Sequence, residues 1–444
     1  MTTPTSQGQV WENLVVSVSR RVVLGGVGAA VLGAGLGGCG SSSGSGRGVG
    51  RIRVVLVSPL TGAMARWGAG DRFVVDAVRS VPAFARGLRL GRKTYEIDIA
   101  VVDSRSDANV AIRATQQIAL GNLADLVLAT SGADTANPVA QVCASQGIPC
   151  LVTGVPWEMW YGGLGGHPAR PSQKFQFCTA FFMGFRQFQG CFVPMWERAA
   201  DSTSVGCLFP FDAYGTAFRA GFEPLVTGAG YQVVDGGAYT DGSSDFGAMV
   251  SLFKGRGCET FAGVPLLADF QAFWEQAARG GFRPRLATVA NVAQVPADVA
   301  GLGVWGRNLA IASWWGPYMP VSSSLTGQSA SSLASAYQAR TGQPWLQTLG
   351  STYTLFEVAK EALSTVSDPH DKQEVAAALH KVRYNGMCGP LDFSAGPAPG
   401  VAVVEPVGAQ WQAASGKYPV ELKVVDNSLN PAVPAGAPLQ PTPV

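Results

Sequence analysis

The feature that most restricts the fold begins at Arg51, where short β-branched runs start to alternate with helical patterns. "RIRVVLVSPL" is apolar and β-rich, as a buried strand requires. A helical pattern follows in "DRFVVDAV", then a strand in "YEIDIAVVD". The next helix, "SDANVAIRATQQIAL", opens on Ser106 and Asp107 as cap candidates. "DLVLATS", "ANPVAQVCASQG" and "IPCLVTG" add strand, helix and strand. Strands separated by single helices run parallel, with helices on both faces of the sheet. After a Pro/Gly-rich break around 162–171 the pattern restarts, with "SVGCLFPFD", "YQVVDGGAY", "CETFAGVP" and "RLATVA" as strands. "VVD" occurs at 101–103 and again at 233–235, each time before a helix and a further strand. That weak internal similarity suits two lobes of like topology. The predicted class is α/β, with two doubly wound parallel-sheet lobes.

The third part breaks the rhythm. "NLAIASWWGP" is followed by three helical stretches, "SASSLASAYQAR", "STYTLFEVAKEALSTV" and "DKQEVAAALHKV". Then come "GPLDF" and two strands, "VAVVEPVGAQWQ" and "ELKVVD". The tail 427–444 holds several prolines and reads as extended or disordered. A chain of 444 residues exceeds one ordinary domain and fits two.

Ahead of this, residues 22–38 form an uncharged run of 17 residues, ten of them Gly or Ala. The run is near the lower limit for a spanning helix and only mildly hydrophobic, which suits a signal-peptide core. Arg20 and Arg21 stand directly before it, after Ser19, in the pattern of a twin-arginine export signal. It ends in Leu36, Gly37, Gly38 and Cys39, which resembles the lipobox of bacterial lipoproteins, whose cysteine is acylated. Residues 1–39 therefore read as a twin-arginine lipoprotein signal with Cys39 as the lipidation site. Residues 40–50 read as a Ser/Gly tether. A phosphate loop is excluded, because no Lys-Ser/Thr closes the glycine run and no strand precedes it.

The net charge is +2 and only 14% of residues are charged, with no basic block, so nothing points to nucleic acid. Cys39 aside, seven cysteines remain of the eight. An exported chain can keep disulfides, and the favoured pair is Cys143 with Cys150 in "CASQGIPC", where a helix end turns into a strand. The odd count leaves at least one thiol free or paired between molecules. Cys178, Cys191, Cys207, Cys258 and Cys388 show no Cys-x-x-Cys spacing, and no metal or cofactor is expected.

With these stretches in order, the chain resembles the type I periplasmic binding proteins, specifically the solute-binding proteins of ABC importers for branched-chain amino acids, amides and related molecules. "VVLVSPLTGAMARWG" is similar to the first strand and its ligand-side loop. "SDANVAIRATQQIALGNLADLVLATSGADTANPVAQVC" and "GIPCLVTGVPW" are similar to the segments that follow in the first lobe. "FDAYGTAFRAGFEP", "TDGSSDFGAMVSLFKGRGCETFAGVP", "SLASAYQARTG" and "GPLDF" carry the resemblance further. It implies two lobes joined by three crossover strands, the first lobe from 51–175 and 313–389, the second from 176–312 and 390–426. It also implies a monomer that takes a small-molecule ligand by hinge closure and hands it to the importer's permease subunits. With Cys39 lipidated, the receptor would sit at the outer face of the cytoplasmic membrane. A sensor of the same fold, acting in signalling, is the alternative.

Ligands of parallel sheets collect beyond the carboxyl ends of the strands. Thr130, Ser131 and Thr153, beside Gly154, match the family positions that hold a ligand carboxylate or amide, and hydroxyls at a helix N-terminus suit an anion. Thr130 and Ser131 could equally cap the following helix. Among the aromatic residues near loops or crossings, Trp67, Trp157, Phe181, Tyr214 and Trp315 are candidate ligand walls, with core packing as the competing role. The resemblance implies an acidic residue of the second lobe that pairs with a ligand ammonium, a role open to Asp212 alongside capping of the helix at Ala213. Val264 and Pro265 are further candidate contacts, and Pro265, Leu266 and Leu267, in "GVPLLADF", stand where more polar groups are expected, which tilts the ligand toward an aromatic acid or amide and away from a free amino acid.

An enzyme is not expected. No Gly-x-Ser-x-Gly elbow follows an expected strand, the match at 40–44 lying in the Ser/Gly tether, and the three histidines, His167, His370 and His380, lie away from the expected strand ends.

Overall fold

The structure, a computed structural model, describes residues 50–443. The export signal, Cys39 and most of the tether lie outside the described residues. In chain order the first part runs β1 (Gly50–Ser58), α1 (Asp71–Ser80), α2 (Pro82–Ala85), β2 (Leu88–Leu90), β3 (Lys93–Asp103) and α3 (Ala108–Leu120). It continues through β4 (Leu126–Thr130), α4 (Ala133–Gln146), β5 (Cys150–Thr153), α5 (Trp157–Gly163) and β6 (Cys178–Phe181). Val54, Val55, Leu56 and Val57 of β1 are all buried, because helices cover both faces of the sheet. β1 pairs in parallel with β3 on one side, Val54 opposite Ile99, and with β4 on the other, Val54 opposite Leu126. Asp107 caps α3 by accepting from the Val110 N–H at 2.8 Å, as its position in the sequence predicted.

The second part runs α6 (Phe185–Ala199), β7 (Ser204–Leu208), α7 (Ala213–Gly228), β8 (Gln232–Asp235), α8 (Gly247–Gly255) and β9 (Thr260–Gly263). Then follow α9 (Leu267–Gly280), β10 (Leu286–Val289), α10 (Pro296–Gly301) and β11 (Ala310–Ser313). Helices α11 (Ala330–Thr341), α12 (Thr348–Ser364) and α13 (Lys372–Leu379) lead to a hairpin of β12 (Arg383–Gly386) and β13 (Gly389–Asp392). β14 (Val401–Ala402), β15 (Val407–Ala413) and β16 (Val420–Asp426) complete the strands. α12 packs on β4 and β5, which returns the chain to the first lobe.

Two seven-stranded sheets result, in the orders β14-β6-β5-β4-β1-β3-β2 and β16-β15-β11-β10-β9-β7-β8. The only antiparallel pairings in these two sheets are β2 with β3 in the first, and β15 with β11 and with β16 in the second. Two strands stand elsewhere than expected. β6 falls within 176–312, the expected second lobe, but pairs with β5, Cys178 opposite Cys150. β14 falls within 390–426, also expected in the second lobe, but pairs with β6, Val401 opposite Ala180. β6 covers the backbone edge of β5, and β14 covers that of β6. The chain accordingly passes between the sheets after Phe181, after Ser313 and after Ala402.

The proline-containing tail is extended and held on the second lobe. The Asn308 side-chain amide donates to the Pro441 carbonyl at 2.7 Å, and the Gln410 amide to the Gln440 carbonyl at 2.7 Å. A proline carbonyl can accept although its nitrogen cannot donate, which suits such docking. No helix of the described residues is long and apolar enough to cross a membrane.

The expected Cys143–Cys150 disulfide is absent: both are free, buried thiols. The Cys150 thiol touches Cys143 and Cys178, and the contact with Cys143, together with burial, pushes its titration well above the ordinary range. A thiol held protonated inside an apolar core resists oxidation.

Candidate functional site

The sequence places its polar and aromatic candidates just past the strands, and the fold brings two such sets together. On the first lobe they follow β1, β4, β5 and β6. On the second they follow β7, β8, β9 and β10. Helices α4 and α5 of the first lobe touch α7 of the second. Arg66, in the loop after β1, forms an ion pair with Asp298 of α10, so a charged contact bridges the lobes.

The turns after β4 and β5 are bonded to each other. The Ser131 N–H donates to the Thr153 carbonyl at 3.2 Å and the Gly132 N–H to the Gly154 carbonyl at 3.3 Å. Ser131 has φ +58° and Gly154 φ +76°, and a Cβ on Gly154 would stand 3.0 Å from the Ser131 nitrogen. The hydroxyls expected to hold a ligand carboxylate are largely engaged elsewhere. Thr130 Oγ1 donates to Asp71 at 3.0 Å, and Thr153 Oγ1 donates to the Phe181 carbonyl at 2.9 Å. Asp71 is itself fully buried and also accepts from Ser58 and Thr352, both at 2.6 Å. Burial, outweighing those three donors, pushes its carboxyl up to about 6.

Among the aromatic candidates, Trp67 is half-buried and stacks on Trp314, centroids 5.9 Å apart and planes 9° apart. The two line a small cavity between the lobes with Arg66, Gln294, Gln347 and Thr348. Gln294 Nε2, Trp314 Nε1 and Thr348 Oγ1 are buried there without a partner. Trp315, the expected contact, is instead fully buried against Trp345, because the crossing turns its neighbour Trp314 to the cavity. Phe181 is likewise a core residue, fully buried and edge-on to Phe393. Trp157 opens α5 and packs beside Gly184 at the first crossing, where a Cβ on the glycine would meet its indole nitrogen at 2.3 Å.

In the second lobe Asp212 caps α7, accepting from the Gly215 N–H at 2.6 Å through one oxygen. Tyr214 stacks on Phe218 at 5.3 Å. Its hydroxyl titrates well above the ordinary range through burial and the charges of Asp212 and Glu158. Val264 and Pro265 are buried behind the loop, whereas Phe211 and Leu266 are exposed at its rim.

The carboxylates around Asp212 are what sequence reasoning missed. Asp134, in the first turn of α4, is raised by partial desolvation and then by the charge of Asp212. Asp241, in the loop after β8, is raised by desolvation and by Asp212, Asp269 and Asp134. Asp269, in the first turn of α9, is buried; desolvation and Asp212 raise it, opposed by the Gly242 N–H at 2.9 Å. Glu158 of α5 reaches about 7 through burial, opposed by backbone N–H groups and Arg186. The available signal was position: each of these aspartates lies shortly after a strand end. Their convergence came only with the two sheets facing each other.

Two doubly wound, mainly parallel sheets joined by three passages, with their strand ends facing across a cleft, define a type I periplasmic binding fold. The chain belongs to the periplasmic binding protein family, whose profile matches residues 51–406. Solved structures agree on the fold. An ABC transporter substrate-binding protein from Sphaerobacter thermophilus superposes with TM-score 0.67 at 18% identity, covering 85% of this chain and 97% of that one. A leucine-binding protein from Thermotoga maritima gives 0.66 at 15% identity, covering 85% and 99%. A solute-binding protein of an ABC transporter from Rhodopseudomonas palustris, in complex with 3,4-dihydroxybenzoic acid, gives 0.65 at 16% identity, covering 87% and 98%. No curated protein sequence matches the chain.

Proposed function

We propose that the chain is the exported solute-binding subunit of an ABC importer. It holds one small organic solute between its lobes without turnover and presents the closed form to permease subunits. The carrying observation is that α4 and α5, which follow β4 and β5, touch α7, which follows β7, so the loops past the strand ends of the two lobes face each other. Trp67, Ser131, Asp212 and Tyr214 are the contacts this arrangement favours, joined by Trp314. Gly154 and Trp157 shape the first-lobe wall. Arg20, Arg21, Cys39 and the Ser/Gly stretch that follows support export and a lipid anchor at the outer face of the cytoplasmic membrane.

A thermal-shift screen of amino acids, amides, amines and aromatic acids tests the binding role. A solute bound only by the native state raises the melting temperature, by RT ln(1 + [L]/Kd) in free energy. If no compound of any class does so, the solute-binding reading fails. Mass spectrometry of membrane-extracted protein tests the anchor: acylated Cys39 is expected, and Cys39→Ser is expected to release the protein from the membrane.

A further inference from the structure

The cleft carries an excess of negative charge that the protein itself leaves unanswered. Among the described residues, no Arg, Lys or His forms an ion pair with Asp134, Asp212, Asp241 or Asp269. Other cleft-side acids do have such a partner, Asp298 in Arg66 and Asp235 in Arg219. Asp269 is only 2% exposed, and its Oδ2 has no hydrogen-bond partner. Beside it the Tyr239 hydroxyl is also unpartnered, on a side chain 6% exposed. Tyr239 is tied to the Asp212 loop through its bridge to Pro210, and its carbonyl accepts from the Phe211 N–H at 2.6 Å. Tyr239 packs edge-on against Phe246, which packs in turn on Phe273 of α9, the helix whose first turn holds Asp269.

A buried polar atom without a partner is a free-energy penalty that a ligand can remove. Here the missing partner must donate, because an ionised carboxylate only accepts. A positive partner suits it, because Asp241 adjoins Gly242, whose N–H holds the other oxygen of Asp269. A ligand carboxylate finds the opposite environment, since the Thr130 and Thr153 hydroxyls already donate within the first lobe. No group of three His, Cys, Asp or Glu among the described residues is arranged to hold a metal ion.

We propose that the cleft selects an organic di- or polyamine, with its ammonium groups between Asp134 of the first lobe and Asp212, Asp241 and Asp269 of the second. The inference rests on the solute-binding reading above and names the charge class of the solute. N–H groups of the amine satisfy Asp269 Oδ2 and the Tyr239 oxygen. Its methylene chain lies along the exposed Phe211 and the neighbouring aromatic wall, which also favours a cation over its faces. An occupant of this kind draws carboxylates of both lobes toward one charge, so binding and closure are a single event.

Isothermal titration of the full-length chain with 1,4-diaminobutane, leucine, 4-hydroxybenzoate and Ca²⁺ in parallel tests this. The expected result is saturable binding of the diamine that weakens as salt rises. Asp241→Asn, at an exposed position that leaves folding intact, and Tyr239→Phe are each expected to weaken it at least tenfold. Binding of leucine or 4-hydroxybenzoate in place of the diamine overturns the inference and leaves the solute-binding reading standing. Binding of Ca²⁺ alone overturns it in favour of a metal. No binding by any of these probes overturns it as well, and the broader thermal-shift screen then decides whether the solute-binding reading survives. Diamine binding unchanged in both variants overturns the assigned site.

Discussion

Asp71 illustrates how one residue can be predicted as part of a helix and turn out to organise a core. It stands in the first turn of α1, fully buried, and collects three hydroxyl donors from β1, β4 and α12. Its carboxyl is raised to about 6 from 3.8. A raised folded-state value means the proton is held more tightly in the folded chain. The stabilising contribution is therefore complete below about pH 4 and lost as pH rises through about 6. Each unit corresponds to about 1.4 kcal/mol, so the span amounts to roughly 3 kcal/mol. Urea unfolding of Asp71→Asn, which stays neutral, is expected to lack this component of the decline between pH 4 and pH 7. Trp157 belongs at the same scale. Its indole is 8% exposed and packed against the first crossing, so Trp157→Ala is expected to lower unfolding free energy by about 3–5 kcal/mol. A stability unchanged in urea would mean that the ring contributes little to that packing.

Between neighbouring elements, the passage from α4 to β5 shows why spacing alone misjudged the cysteines. α4 ends at Gly147 with φ +64°, which turns the chain at once into the buried strand. The turn brings Cys143 and Cys150 near each other, and the sheet adds Cys178 beside Cys150 through strand pairing. Three thiols then share one dry site, with Cys178 Sγ donating to the Ala140 carbonyl at 3.3 Å. Dithionitrobenzoate titration of the denatured, unreduced chain with Cys39 replaced is expected to count seven thiols; a count of five would restore a disulfide. Before denaturation the reaction is expected to be slow, because all seven are buried. Helix α12 was legible for a different reason. "STYTLFEVAKEALSTV" is rich in helix formers, and the structure buries this helix on nearly every side.

For the whole molecule, Arg66 and Asp298 are the ion pair that spans the lobes near the Trp67–Trp314 stack. Arg66 is largely exposed, and pairs of that kind contribute about 0–1 kcal/mol. Asp298→Ala is therefore expected to change solute affinity by no more than about fivefold, while raising the radius of gyration of the free protein in small-angle scattering. An unchanged radius would show that the pair does not hold the lobes together. The same scale explains which site residues were legible. Trp67, Ser131, Asp212 and Tyr214, the proposed contacts, lie in loops that follow β1, β4 and β7, a position the local pattern reveals. Trp315 and Phe181 were misassigned because the side to which a crossing segment turns depends on both sheets at once.

The sequence by itself determined the α/β class, the two-part repetition and the loops that border the cleft, since the alternation of strand and helix is written in local hydrophobic period and in caps such as Asp107. Tertiary structure alone decided that β6 and β14 finish the first sheet, that Cys143 and Cys150 stay reduced, and that Thr130 and Thr153 bond inward. It also decided the charge of the cleft. Asp134, Asp212, Asp241 and Asp269 are far apart in the chain, and only the facing of the two sheets turns the loops that carry them toward one cleft.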